Sequence, residues 1–310
     1  MTCFNVFRTG RALRQLAAWA ALCAGVVVAG PAVADEMDTL HSLARSGRIA
    51  LGVRDTAVPM SYLGPAGLHI GYQQDICLRL VAAIRQRFDL PQLQVVNVPT
   101  TLANRHALLN NRSIDIDCGP NPVNAAALQQ ALISHATYVT EVKVMTRAEF
   151  AGRTLVEQAT RPVGVVVGSS AVPALRTLTR NVGLKPVEVT GRSDGEVFAM
   201  LEQGRVESVA FSVPSLLAQR GQSADPTRYV MRDEVLRTEY LALRFRLDDE
   251  RLHALANEVL ATLMRSGEMA QLHDKWFMQP VPGLPLGLGL PLPPALRKLF
   301  SEPGSEMLAL

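Results

Sequence analysis

The 310 residues are 48 % hydrophobic and 19 % charged, too apolar for a disordered chain and too mixed for a membrane-embedded one. The formal charge of +3 equals the three arginines of the first 34 residues, Arg8, Arg11 and Arg14, a stretch without acids, so the remainder is formally neutral. The basic balance of the full chain is therefore no evidence for nucleic-acid binding.

Residues 1–34 carry those arginines, then the apolar run LAAWAALCAGVVVAG and Ala32-Val33-Ala34 before Asp35. That order is a secretory signal with a small-residue cleavage site, predicting export to the periplasm. An uncleaved anchor is the alternative. A lipoprotein site at Cys23 is disfavoured by Leu22, where a small residue belongs. No second long apolar run follows, and about 275 residues suffice for two lobes with separate cores. Cleavage leaves Cys77 and Cys118. An even pair in an exported chain favours a disulfide over two buried thiols.

From there the elements come in alternation. Residues 37–48 (MDTLHSLARSGR) have helical spacing, and IALGVR at 49–54 reads as a strand entering a loop over 54–67. A helix over 73–88, a strand at 93–99, a short helix at 104–111 and a strand at 113–119 follow, the last opening into a loop with Pro120 and Pro122. The rhythm restarts with a β-rich run and a Gly-Ser-Ser turn, residues 168–170, before a helix. Strands at 185–191 and 206–212 flank a helix at 194–205; a strand at 239–247 leads into one or two amphipathic helices over 249–277. The tail at 280–294 is rich in proline and glycine and is predicted to be extended. Strands alternating with helices predict an α/β fold with mainly parallel sheets.

The stretch LARSGRIALGVRDTAVPMSYLGPAGLHIGYQQDICLRLV, followed in order by NRHALLNNRSIDIDCG, GSSAV, LEQGRVESVAF, GEMAQLHDKWF and ALRKLFSEP, resembles the periplasmic solute-binding proteins of polar amino-acid ABC transporters, nearest their glutamate/aspartate branch. The resemblance covers essentially all of the mature chain. It implies a hinged two-lobe type II periplasmic-binding fold, with lobe 1 at 36–144 plus 243–310 and lobe 2 at 145–242. It also implies pairing of Cys77 with Cys118, no cofactor, a monomer, and an inner-membrane ABC permease as partner.

By the same resemblance Arg54 meets a ligand's side-chain carboxylate and Arg105 its α-carboxylate, roles that suit a fixed, bidentate guanidinium. Ser169 and Ser170 match the hydroxyls of a Gly-Thr-Thr turn at a helix N-terminus, which favours anions; capping their own helix is their duller role. Several family positions differ. Pro120 and Pro122 replace a ligand-facing serine and threonine, Leu102 replaces a serine, and Asp194 replaces a histidine. The acid that meets the ligand's α-ammonium aligns with Val213. Two ligand readings follow: an anionic carboxylate without an amino group, or an amino acid whose ammonium is met by Asp194. Asp194 as a helix N-cap is the structural alternative.

Catalytic and metal motifs are missing. There is no His-Glu-x-x-His, no Walker loop and no Cys-x-x-Cys, and the six histidines lack ligand spacing. The remaining enzyme reading is a dehydratase of the cyclohexadienyl type on the same architecture, with Asp194 or Glu196 as general acid. A sensor module is expected to carry a membrane span or a fused signalling domain.

Overall fold

A computed structural model describes residues 38–284 and 287–304; the proposed signal at 1–34 lies outside them. Among the described residues twelve strands and eleven α-helices follow the alternation. They begin with α1 (Thr39–Ser46), β1 (Arg48–Val53), β2 (Thr56–Ala57), β3 (Ser61–Leu63), β4 (His69–Ile70), α2 (Tyr72–Arg87), β5 (Gln94–Pro99), α3 (Arg105–Asn110), β6 (Ile116–Pro122), α4 (Ala125–Gln130), β7 (Leu132–Ile133) and β8 (Tyr138–Arg147). They continue with α5 (Leu155–Ala159), β9 (Pro162–Val166), α6 (Ala171–Arg180), β10 (Val187–Gly191), α7 (Asp194–Glu202), β11 (Ser208–Ser212), α8 (Val213–Gln222), β12 (Tyr229–Phe245), α9 (Glu250–Arg265), α10 (Glu268–His273) and α11 (Pro294–Ser301).

Nine strands join in the order β10-β9-β11-β8-β12-β6-β1-β5, with β7 on β12. Parallel triplets occupy both ends, β10-β9-β11 and β6-β1-β5. Between them β8 and β12 run antiparallel, from Tyr229 opposite Arg147 to Leu241 opposite Tyr138. These two strands pass from one lobe to the other. The first lobe buries one face of its sheet under α2 and α9, and the second lobe packs helices on both faces of its own.

The helix at the centre of the first lobe shows how the sequence makes this. Tyr72, Ile76, Leu80 and Ile84 recur every fourth residue and are fully buried, giving α2 one apolar face. Gly71 starts it at φ 136°, with a Cβ there only 2.4 Å from the Met60 carbonyl oxygen, so the entry to the helix admits glycine alone. Cys77 lies on the same buried face and is disulfide-bonded to Cys118 of β6, as expected.

The sequence reading names no element where α4, β7, β8 and α5 lie, and the structure departs from it in three further places. The expected loop at 54–67 holds β2 and β3, two strands of a small antiparallel sheet completed by β4. The strand expected at 239–247 starts ten residues earlier, because polar residues such as Arg232, Asp233 and Glu234 line its exposed part and hide the alternation. The third concerns the prolines. Pro120 and Pro122 are not in a loop but in β6, which pairs Pro122 with Leu241 and Asn121 with Ala242. The Val123 N–H donates to Tyr240 O across that ladder (2.8 Å), so by alternation the ring nitrogens of Pro120 and Pro122 face the other way. On that side β1 pairs with β6 only as far as Asp117, and no ladder bond is lost.

The tail after α10 packs on the first lobe. Leu288, Leu290 and Leu292 lie against its core, and the Leu290 N–H donates to Phe277 O (3.2 Å).

Candidate functional site

A cleft of about 520 Å³ opens between the lobes in front of β8 and β12. Arg54, Arg105, Pro120, Ser169, Ser170 and Asp194, named from sequence, all line it. Leu102 reaches across from the first lobe to pack on the core of the second, and α7 touches β2, so the lobes meet around the cleft.

Arg54 follows the last residue of β1, where ligands of open α/β sheets bind. Its backbone N–H donates to Ser61 Oγ (2.9 Å), and its stem lies on Gly119, where a Cβ would stand 3.3 Å from Cγ. Arg105 opens α3, placed by a turn in which the Thr101 N–H donates to Asn104 Oδ1 (2.7 Å). Its Nη1 donates to Asn121 Oδ1 (2.8 Å), and Asn121 Nδ2 donates to Asp117 O (3.2 Å). Arg105 Nε has no hydrogen-bond partner. Both guanidiniums are buried, which lowers their proton affinity; Asp117 opposes this in each, while Arg54 adds repulsion at Arg105. Arginine stays charged under such pressure. The first lobe thus offers two buried cations that a bound carboxylate would relieve.

Behind them is a third. Arg244 of β12 is buried, donates from Nη2 to Pro122 O (2.8 Å) and lies 3.1 Å through Nη1 from His106 Nε2. It fixes the carbonyl of a residue that lines the cleft.

On the second lobe Ser170 occupies the N-cap position of α6 but makes no capping bond with its side chain, and buried Ser169 Oγ is unpartnered. Neither hydroxyl serves merely as a cap. For α7 the cap is Ser193, whose Oγ accepts from Glu196 N (3.2 Å). The N-cap alternative for Asp194 is thereby corrected: it is the first helical residue, and its carboxyl turns into the cleft toward Ser215 and Arg54. Burial raises the Asp194 pKa, and Ser215 and Arg54 offset this only in part.

That shift fixes a sign. A carboxyl that holds its proton to higher pH when folded loses stability as pH rises from the unfolded value through the folded one. Asp194→Asn is therefore expected to melt above the parent near pH 7 without solute, the gap closing as pH falls below the ordinary aspartate range. A variant that melts lower at neutral pH would mean that the Arg54 attraction outweighs burial.

Val213 is not among the lining residues; it starts α8, and its neighbours Ser212 and Ser215 face the cleft instead. Sequence reasoning missed Glu239 and Arg237, both on β12 and both lining the cleft. The available signal was an acid at the head of the buried run 241–245, where a solvent-facing strand residue is expected to alternate outward.

Two α/β lobes, a pair of shared strands and a charged cleft between them define a small-solute binding protein. The sequence matches the bacterial extracellular solute-binding proteins, family 3, over residues 49–279, and the chain belongs to that family. Over 288 residues it is 27 % identical to the glutamate/aspartate import solute-binding protein of Escherichia coli (strain K12), spanning 93 % of this chain and 95 % of that protein. An ABC uptake transporter substrate-binding protein from Streptococcus pneumoniae, solved with bound histidine, shares the fold with a TM-score of 0.69, at 17 % identity over 78 % of this chain and 97 % of its own. An ancestral amino-acid-binding protein, a precursor of cyclohexadienyl dehydratase, does so with a TM-score of 0.67, at 19 % identity over 77 % of this chain and 99 % of its own.

Proposed function

We propose that this protein is the periplasmic receptor of an ABC importer, a monomer that closes its two lobes on an acidic amino acid and presents it to an inner-membrane permease. One observation carries the reading: Arg54 and Arg105, both buried in the first lobe, line one cleft with the hydroxyls of Ser169 and Ser170 of the second. Two guanidiniums match two carboxylates, and closure strengthens each pairing by excluding water. The cleft volume lies in the range of small-molecule sites. The import role named for the Escherichia coli relative supports the same solute class.

Closure is stabilised only by contacts that the solute makes with both lobes at once. A thermal-shift panel of glutamate, aspartate, neutral and basic amino acids, and glutarate tests this. A ligand at a hundred times its Kd adds about 2.7 kcal/mol to stability, so glutamate or aspartate should raise the midpoint by several degrees. Stabilisation by neutral or basic amino acids alone would sink the acidic assignment.

The dehydratase reading draws on the fold likeness and on the raised pKa of Asp194. Its second candidate acid is otherwise engaged: exposed Glu196 accepts the Arg192 N–H through Oε2 (2.8 Å). Product formation from prephenate or arogenate would replace the binding role with catalysis.

A further inference from the structure

Glu239 sits in β12 between the lobes, lines the cleft and is only 5 % exposed. Its Oε1 has no hydrogen-bond partner. The guanidinium paired with it is that of Arg237, whose Nε is 3.5 Å away, longer than a hydrogen bond, on a side chain 40 % exposed. Burial raises the Glu239 pKa, while the Ser170 hydroxyl and Arg237 pull it back. A buried carboxylate oxygen without a donor is costly, so such a group calls for a functional account.

The other acids around the site face guanidiniums of the first lobe. Asp194 faces Arg54 and Ser215, and Asp117, whose Oδ1 accepts the Gly119 N–H (3.1 Å) while its Oδ2 has no hydrogen-bond partner, sits among the guanidiniums of Arg54 and Arg105. Val213 supplies no charge and lies off the cleft. Of the two acids that line the cleft, Asp194 is attracted by Arg54 of the first lobe, whereas the cation acting on Glu239 is Arg237 of its own strand.

We infer that Glu239 receives the ammonium of the bound solute, so that the site selects an amino acid over the same dicarboxylate without nitrogen. The inference rests on the acidic-solute reading and assigns its specificity to a strand shared by the lobes. An ammonium carries up to three donors, one of which the unpartnered oxygen would accept, and it neutralises a buried charge. Arg237, half in solvent, yields its loose contact at little cost.

Titration calorimetry on the full chain compares glutamate with glutarate. The parent should prefer glutamate by at least tenfold. Glu239→Gln should remove that preference while glutarate binding stays within a few-fold, whereas Asp194→Asn should shift both ligands by a similar factor. A preference kept in Glu239→Gln, or lost in Asp194→Asn instead, overturns the inference. Should Glu239→Gln fail to fold, Arg237→Gln decides: removal of the competing cation must raise the preference for glutamate, and an unchanged or lowered ratio is fatal. A parent that binds both acids equally overturns this inference but leaves the acidic-solute reading standing; a parent that binds neither overturns both.

Discussion

Arg105→Ala is expected to weaken acidic-solute binding by about 3 kcal/mol, more than a hundredfold, in titration calorimetry, within the range for truncating one partner of a buried charge pair. The size follows from the surroundings. Arg105 is buried, and its Nη1 is held by Asn121, itself held by the Asp117 carbonyl, so the side chain is oriented before the solute arrives. Little rotamer entropy remains to be lost on binding. Repulsion from Arg54 is relieved when a carboxylate settles between them. Alanine removes the donors and leaves the solute carboxylate desolvated without them. Arg105→Lys should recover only part of the loss, since an ammonium lacks the planar fork. The fold is expected to survive, because α3 also rests on buried Leu109. Unchanged affinity in Arg105→Ala would remove this residue from the site.

The sequence was most legible where one physical cause acts alone. The four-residue spacing of α2 and the apolar strand β1 needed only burial, and each lies within a residue of its expected position. Arg54, Arg105 and Asp194 are named through the resemblance to the family, and each sits at the end or start of a regular element, where topology favours facing a cleft. Legibility failed where tertiary context overrules local pattern. Two prolines in seven residues argue for a loop, yet β6 admits them because its neighbour β1 has already ended on the side their nitrogens face. Glu239 and Arg244 look like solvent-facing residues of a strand, but both are buried, because β12 is flanked on either side and covered by both lobes. No single-strand periodicity carries that information. Ser193 and Asp194 are adjacent and both suit an N-cap; only the observed bond to Glu196 N assigns the cap to the serine and frees the acid.

The second large effect concerns the cross-link rather than the cleft. Cys77→Ala with Cys118→Ala should lower stability by about 4 kcal/mol, from the loop entropy restored to the unfolded chain over a separation of 41 residues. Alanine is the better replacement, because both sulfurs are fully buried in the first core and a serine hydroxyl there would add a desolvation cost. At about 2–4 °C per kcal/mol for chains of this size, the midpoint should fall by roughly 10 °C. The native state should nevertheless persist. α2 keeps its buried face of Ile76, Leu80 and Ile84, and β6 remains clasped between β1 and β12. Cys118 stands one residue before Gly119 and two before Pro120, so the cross-link anchors the strand from which Asn121 orients Arg105. Because the ladder to β12 holds that strand independently, solute affinity measured well below the midpoint should change less than threefold. A large loss of affinity with an intact melt would instead assign the bond a role in aligning Asn121. A stability loss under about 1 kcal/mol would mean that the unfolded chain already restricts the loop that the bond closes.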